Sequence, residues 1–476
     1  MSSYQNIIYD KLPPFLQSLA LSWYGKKIKK ERFCEQYFQL QEFYNKSQYF
    51  SLEQLGEYQN DKLREVIAHA YEYVPYYRKI FKDKNLTPED ITKKEDLHKL
   101  PILTKQDIKN NFNDLISKKH KHDQLKLGHT SGTTGAPLEV LWDRPVDVIH
   151  NAAIWRHRNW AGFQFGDRYA TLLGRVIVPI KQKGPSFCRI NKPWNQYLFS
   201  SFHLSDENLK YYFDDFSRLN IQFMEAYPST AYILAKYLEQ HNLYYKMKAI
   251  VTSSETLLPI QREIIEERFK CRVFDYYGMA ERVMFSGECD MHNGHHLHME
   301  YGITEITDEK CNAVPAGKLG KLILTGLHNH GMPLIRYEIG DVSAFKVERC
   351  ACGRTLPLLA AVSTKAEDIV VTSDGKLISS SVLTHPFKPM HNIEKSQIIQ
   401  EDYDRLVIKI VRRRGYSDAD TKQLVQAMGQ RVGDKMSISV EFVADIPLGK
   451  NGKYRWVISK LPIRFGHEES DNLFKE

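Results

Sequence analysis

Several absences narrow the class of this 476-residue chain before any motif is considered. No apolar run is long enough to cross a bilayer: "FLQSLALSWYG" is about eleven residues, against the roughly 20 a spanning helix needs. There is no Gly/Ser or Pro-rich linker, no low-complexity tract and no repeat, so any joint between domains is compact. The seven cysteines form no regular ladder, which excludes a disulfide-stapled secreted fold. The start has neither a basic n-region ahead of its apolar stretch nor a small-residue cleavage site, so a cytoplasmic, reduced protein is expected. Basic residues exceed acidic ones by only 66 to 58, and the densest basic runs, Lys26 to Arg32 and Arg412 to Arg414, are short. Nucleic acid is therefore not an expected partner.

What remains is the mixture of a folded globular protein, 42% hydrophobic and 26% charged, in a chain long enough for two or more packed units. Residues 1–110 mix aromatic and charged residues at helical spacing, with Thr87 and Thr104 as N-cap candidates and Asp107 three residues after the second. A mostly helical opening segment is expected. Within it, "FLQSLALSWYG" reads as a helix face packed on the body of the protein; with "KKIKKERF" after it, peripheral contact with an anionic membrane is the alternative.

From about residue 125 to 345, short apolar runs ("RYATLLG", "KAIVTSS", "CRVFDYYG", "KLGKLILTGL") alternate with helical patterns ("STAYILAKYLEQH", "LLPIQREIIEERF"), the pattern of an α/β layered domain. The last hundred residues read as a smaller α/β unit: "DRLVIKIVRRR" and "MSISVEFV" alternate like strands around "SDADTKQLVQAMGQRVG", which opens with a capping box at Ser417 and Asp420. The expected organisation is a large N-terminal domain over residues 1–365 and a small C-terminal domain over 366–476.

Chemistry is concentrated in a few short stretches. "HTSGTTGAPL", His129 to Leu138, is rich in hydroxyls and glycine and suits an anion held by backbone N–H groups, with a surface turn as the rival reading. It lacks the lysine of a Walker P-loop, since Ala136 and Pro137 follow Gly135. "SSETLLP" (Ser253 to Pro259), "DYYGMAE" (Asp275 to Glu281), "IRYEIGD" (Ile335 to Asp341) and "LGKNGKYRW" follow in that order. This succession resembles the adenylate-forming superfamily of acyl-CoA synthetases and peptide-synthetase adenylation domains. "LPILTKQDI", "ECDMHNGHHLHMEYGITEI" and "CACGRTLPLL" resemble its branch of phenylacetate-CoA ligases, coenzyme F390 synthetases and CapK-type capsular polysaccharide biosynthesis proteins.

The resemblance implies a large α/β adenylation domain, a small mobile C-terminal domain, and two half-reactions. A carboxylic acid would be activated by ATP and Mg²⁺ as an acyl-adenylate, and then passed to CoA or to an amine or glycan hydroxyl. By the same resemblance Ser131, Gly132, Thr133, Thr134 and Gly135 would hold phosphates, Ser254 and Glu255 would line the adenine pocket, Tyr277 would lay its ring on the base, and Tyr276, Gly278 and Lys365 would count among the nucleotide-binding residues. Glu281 would hold Mg²⁺, Asp341 would grip the ribose hydroxyls, and Lys453 would reach the α-phosphate, with Lys450 as its competitor. The acyl pocket is placed around His203 and Tyr227. These roles match what charge development on phosphoryl oxygens requires.

Three departures stand out: Ala280 replaces the family's threonine, and Lys365 and Glu367 replace an arginine and an aspartate at the hinge. They motivate a second reading, a catalytically silent nucleotide-binding or scaffolding protein of a polysaccharide assembly system. Cys289, Cys350 and Cys352, with four nearby histidines, suit a structural zinc or, alternatively, a polar turn with small core cysteines. The resemblance points to His296 as the fourth ligand. Cys34, Cys188, Cys271 and Cys311 read as structural.

Overall fold

Strong start signals and regularly spaced apolar positions make the opening segment helical. Its helices are α1 (Pro14–Arg32), α2 (Glu35–Ser47), α3 (Leu52–Tyr73), α4 (Pro75–Asp83) and α5 (Lys105–Asn110). Ser51 and Gln54 close a capping box at the head of α3, and Leu63, Val66, Ile67 and Ala70 form its buried stripe. Thr104 caps α5, its Oγ1 accepting from Asp107 N at 3.1 Å while its N donates to Asp107 Oδ2 at 2.9 Å. Thr87 makes the same kind of box with Asp90.

The computed structural model describes residues 9–129, 138–179, 181–360, 362, 369–372, 377–379, 383, 385–387, 390, 392–433, 435–447 and 455–461. The expected phosphate-loop residues Ser131, Gly132, Thr133, Thr134 and Gly135, the hinge positions Lys365 and Glu367, and Lys453 and Lys450 lie outside them.

Helix α1 corrects one expectation. It packs largely through small and polar residues, with Gln17 and Gly25 buried and Leu21 and Ile28 half-buried against the cores, and turns Phe15, Leu19 and Trp23 outward. Gly25 is required there: a Cβ would lie 2.0 Å from Asn191 Oδ1.

The middle of the chain builds a mixed sheet. Strands β1 (Lys126–His129) and β2 (Glu139–Trp142) pair antiparallel and lead into α6 (Arg144–Trp160). Then come β3 (Tyr169–Leu172), β4 (Cys188–Asn191), β5 (Gln196–Phe199), α7 (Asp206–Arg218), β6 (Phe223–Ala226), α8 (Pro228–Gln240), β7 (Ala249–Ser253) and α9 (Pro259–Phe269). They are followed by β8 (Arg272–Gly278), β9 (Phe285–Glu288), β10 (His295–Leu297), β11 (Gly302–Thr307), β12 (Gly320–Gly326), β13 (Tyr337–Ser343) and β14 (Leu358–Leu359). Nine strands form one sheet in the order β14-β10-β9-β8-β7-β6-β3-β5-β4, parallel from β5 through β3, β6 and β7 to β8.

Both faces of its parallel centre are covered, which is why these strands read as continuous apolar runs. Ala170, Met224 and Ile250 pack under Leu234 and Leu238 of α8 and Ile265 of α9. Their neighbours Tyr169, Phe223 and Val251 face Ile149, Ala152 and Trp155 of α6. A separate antiparallel sheet, β11-β12-β13, shares its core with the opening helices, where Leu63, Ile67, Leu103 and Tyr337 meet.

After it, β15 (Ile369–Val371) and β16 (Leu377–Ser379) form a short ribbon. β17 (Ile393–Asp402), β18 (Arg405–Arg412), α10 (Asp418–Val432), β19 (Ser437–Phe442) and β20 (Val457–Ser459) make a four-stranded sheet, β19-β18-β17-β20. The expected strand, helix, strand unit is β18-α10-β19, closed parallel and started by Ser417 N donating to Asp420 Oδ2 at 2.8 Å. Its core holds Ile398, Leu406, Ile408, Leu424 and Met428.

Candidate active site and metal cluster

In open α/β sheets, ligand-binding groups collect in the loops beyond the carboxyl ends of parallel strands. Here β7 ends at Ser253 and β8 at Gly278. The chain turns sharply after both, with Ser254 at φ +71° and Arg282 at +55°, conformations uncommon outside glycine. Beyond β8, Tyr277 Oη donates to Asp341 Oδ2 on β13 at 2.5 Å. Glu281 lies in the following turn, 4% exposed, and its Oε1 accepts from Tyr337 Oη at 2.8 Å. Two carboxylates and two tyrosines, in pairs 64 and 56 residues apart in the chain, are thus joined in one place.

Burial pushes the Glu281 carboxyl above the ordinary carboxylate range; the Tyr337 hydroxyl and the charge of Lys105 oppose this, while Asp341 adds to it. Among the described residues its side-chain hydrogen-bond partner is a hydroxyl and not a cation. Such a carboxylate is suited to receiving a divalent cation, which would favour its ionised form.

Lys105 reaches the site by backbone pairing. Leu103 N donates to Arg336 O at 2.9 Å and Glu338 N donates to Leu103 O at 3.0 Å, which sets the head of α5 against β13. Lys105 Nζ lies 3.6 Å from where a Cβ on Gly340 would sit, and Gly340 itself has φ +85°. Arg336 pins the strand's start, paired with Glu305 at 3.1 Å and donating to Leu100 O at 2.7 Å. Neither Lys105 nor Tyr337 was singled out by sequence motifs, although both lie inside the quoted stretches "LPILTKQDI" and "IRYEIGD".

The turn carrying Glu281 is anchored by its neighbour. Arg282 pairs with Asp147 at 2.8 Å and lies 4.0 Å over the Trp142 ring. Asp147, on α6, also takes Arg32 at 3.2 Å and Lys126 at 3.0 Å. Burial works against its charge, but the three cations hold its carboxyl well below the usual range.

The remaining expected residues have their own surroundings. Glu255 Oε2 accepts from Ser229 N at 3.0 Å, at the amino end of α8, where a carboxylate is favoured by unpaired N–H groups. Tyr227 is the residue before that helix, and the Glu255 carboxylate adds to its raised pKa, for which burial is the main cause. Tyr276 points to the opposite face of β8 from Tyr277 and stacks on Phe285 with centroids 5.2 Å apart. Gly278 lies at the strand end, where a Cβ would make ordinary contact with Phe285. His203 stacks on Phe187 at 5.0 Å, its Nδ1 2.7 Å from Ser200 Oγ.

A second cluster forms at the other end of the β9-β10-β14 edge. The ligand atoms of Cys289, His296, Cys350 and Cys352 all lie within 4.8 Å of one another. Cys289 Sγ is 3.6 Å from Cys350 Sγ, and Cys352 Sγ is 3.4 Å from His296 Nε2. A tetrahedron with zinc-ligand lengths of about 2.1 to 2.3 Å has edges of roughly 3.6 to 3.8 Å, so the set is close to that shape. His296 Nδ1 faces Leu356 O at 3.3 Å, leaving Nε2 toward the sulfurs, and backbone N–H groups of Met291 and Arg354 each reach a sulfur at 3.4 Å. Burial brings His296 down to about 4, so the ring is neutral near pH 7, as a ligand must be. The polar-turn alternative fails for three of the four histidines: His295 and His296 are in β10, His298 is just beyond it, and all three are buried, whereas His292 is half-buried in the turn before β10. Cys188 is buried and Cys34 and Cys271 half-buried, whereas Cys311 is exposed, which corrects its reading as a structural residue.

Residues 370–460 match the family model described as the CapK C-terminal domain. Protein CapK of Staphylococcus aureus is 28% identical over 465 residues, spanning 96% of this chain and 99% of that protein. The phenylacetate-coenzyme A ligase of Pseudomonas putida is 26% identical over 381 residues, 74% of this chain and 79% of that one. Among solved structures, 2-hydroxyisobutyryl-CoA ligase in its postadenylation state superposes with a TM-score of 0.69 at 18% identity, covering 87% of this chain and 91% of that one. The same ligase in its thioesterification state gives 0.55, with 86% and 91% covered. The chain is thus similar to Protein CapK over nearly its whole length and to phenylacetate-CoA ligases over most of it, and it shares the fold of a CoA ligase of solved structure.

Proposed function

We propose that this protein is an AMP-forming ligase that activates a carboxylic acid with ATP and passes the acyl group to a thiol, CoA being the acceptor that the phenylacetate-CoA ligase relatives suggest. The observation that carries the reading is the meeting of Tyr277 near the end of β8 and Glu281 in the turn beyond it with Asp341 and Tyr337 of β13. ATP supplies the electrophile: a carboxylate oxygen bonds to its α-phosphorus as pyrophosphate leaves, and the thiolate later displaces AMP from the acyl carbon. In this reading Tyr277 lies against the base, Asp341 takes the ribose hydroxyls, and Glu281 holds Mg²⁺ with Lys105 close by. Ser131 to Gly135 cradle the phosphates, Ser254 and Glu255 border the adenine, and Lys453 comes from residues 366–476 across a hinge at Lys365 and Glu367. That one neighbour superposes at 0.69 in one state and 0.55 in another is what a turning C-terminal unit produces. His203 and Tyr227 border the acyl pocket.

A role in polysaccharide assembly in the cytoplasm is the reading that the sequence resemblance to CapK-type capsular polysaccharide biosynthesis proteins motivates; no helix among the described residues is long and apolar enough to cross a membrane. The test is pyrophosphate release from Mg²⁺-ATP with aryl, fatty, hydroxy and amino acids, hydroxylamine trapping the acyl group, beside Lys453→Ala. Release that needs one acid and falls in the variant supports the reading. Tight ATP binding with no release for any acid favours the silent scaffold, for which Ala280 and Lys365 argue.

We also propose that Cys289, His296, Cys350 and Cys352 bind a structural zinc that ties the β9-β10 hairpin to the chain before β14. Elemental analysis should give one zinc per chain, and Cys350→Ser should lose it together with thermal stability. Zinc-free wild type protein of unchanged stability would contradict this.

A further inference from the structure

Surface helices normally turn apolar residues inward and charges outward. Helix α1 departs from this in its first half, where its bulkiest apolar side chains face outward. Its inner face is mostly polar and small, with only Leu21 and Ile28 packed on the cores: Gln17 accepts from Arg189 Nε at 2.5 Å, Ser18 and Ser22 bond the backbone of Ile190, and Gly25 O accepts from Trp194 Nε1 at 2.8 Å. Its outer face carries Phe15, Leu19 and Trp23 at 65, 60 and 75% exposure. These recur every four residues, and Lys26 and Lys30 continue the same stripe with Lys27 beside it, all exposed. The stripe from Phe15 to Lys30 is about 22 Å long. No acidic residue interrupts it; the helix's one carboxylate, Glu31, is half-buried and turned to Lys126 at 3.3 Å. Lys192, exposed on the turn after β4, donates its backbone N–H to Ser22 and adds a further cation alongside.

An apolar stripe left outward needs an occupant. The apolar half asks for a hydrocarbon surface and the basic half for negative charge, with Trp23 at the boundary between them, where an indole settles at a membrane interface. A second copy of the chain would bring the same lysines to the contact. We propose that α1 docks this protein on an anionic lipid bilayer, lying in the plane of the headgroups with Phe15, Leu19 and Trp23 inserted. At nineteen residues with three exposed lysines it lies on the membrane and does not span it.

Vesicle flotation of the full chain tests this, with phosphatidylcholine vesicles with and without phosphatidylglycerol. The wild type floats with the anionic vesicles, less at high salt, and stays behind with phosphatidylcholine alone. Phe15→Ser/Leu19→Ser/Trp23→Ser abolishes flotation. Lys26→Gln/Lys27→Gln/Lys30→Gln weakens partitioning on the order of a hundredfold, roughly fivefold per lysine. Because these side chains face outward, both variants keep the wild-type unfolding temperature, which separates lost docking from lost fold. Flotation of the serine variant at the wild-type level overturns the proposal, as does a wild type that binds neither vesicle. A dimer that the serine variant dissociates, with no vesicle binding, overturns it in favour of a second copy.

Discussion

Glu300 and Glu281 are both buried glutamates, at 0 and 4% exposure, and they lie in opposite electrostatic situations. Glu300 receives both arms of Arg156, at 2.8 and 3.2 Å, and the hydroxyl of Ser47. Burial acts against its charge, yet Arg156 and Ser47 hold its pKa below the ordinary value. Glu281 receives a tyrosine hydroxyl, with Asp341 nearby, and burial leaves its pKa raised. The first fastens α6 to the chain before β11; the second is a buried charge left short of a counter-ion, a condition expected where a ligand completes the site.

That contrast breaks most visibly at Glu300. Glu300→Gln should lose about 3 to 5 kcal/mol, because Arg156 would be left buried and unpaired, while specific activity of the folded fraction is retained. Urea unfolding beside the activity assay checks both halves. At Glu281 the expectation inverts. Glu281→Gln keeps an acceptor for Tyr337 and removes the uncompensated charge, so stability holds or rises while activity falls on the order of a hundredfold, the scale of one preorganised electrostatic partner.

The pH dependence should separate them further. A lowered carboxylate such as Glu300 contributes stability that is present above its unfolded pKa of about 4.3 and is lost as pH falls through the folded value. A raised one such as Glu281 does the opposite: as pH climbs from about 4.3 through its folded value, ionisation costs stability. The stability advantage of Glu281→Gln over wild type should therefore grow with pH in that window and then level off. A flat difference in unfolding free energy would contradict the assignment. The smallest effect is expected at Tyr337→Phe, about 1.5 kcal/mol for one hydrogen bond to a carboxylate, and less when Glu281 is already Gln. A double-mutant cycle measures that coupling.

Much of the scaffold was legible in the sequence. The runs that became β3, β7, β8, β12, β18 and β19 declare themselves because their apolar residues are covered on one or both sheet faces, and Thr87, Thr104 and Ser417 start helical turns where local hydroxyl and carboxylate spacing says they should. What escaped depends on contacts far along the chain. Nothing local in "FLQSLALSWYG" says that Gln17 will be satisfied by Arg189 and that the aromatic residues will face outward. β17 mixes Lys395, Gln397 and Gln400 with isoleucines and is stabilised by strands on both sides. Lys105 enters the site because Leu103 pairs with β13, and Tyr337 because β13 pairs with β12. His295, His296 and His298 look like a solvated turn and are instead core residues, because β9, β14 and Trp160 enclose them.

The measurement that tests the central claim most directly is acid-dependent exchange of pyrophosphate into ATP, run side by side for wild type, Asp341→Asn and Glu300→Gln at a temperature where all three are folded. Loss of exchange in Asp341→Asn alone, with wild-type unfolding, is the predicted result. Equal exchange in all three would contradict a nucleotide site built on Tyr277, Glu281 and Asp341.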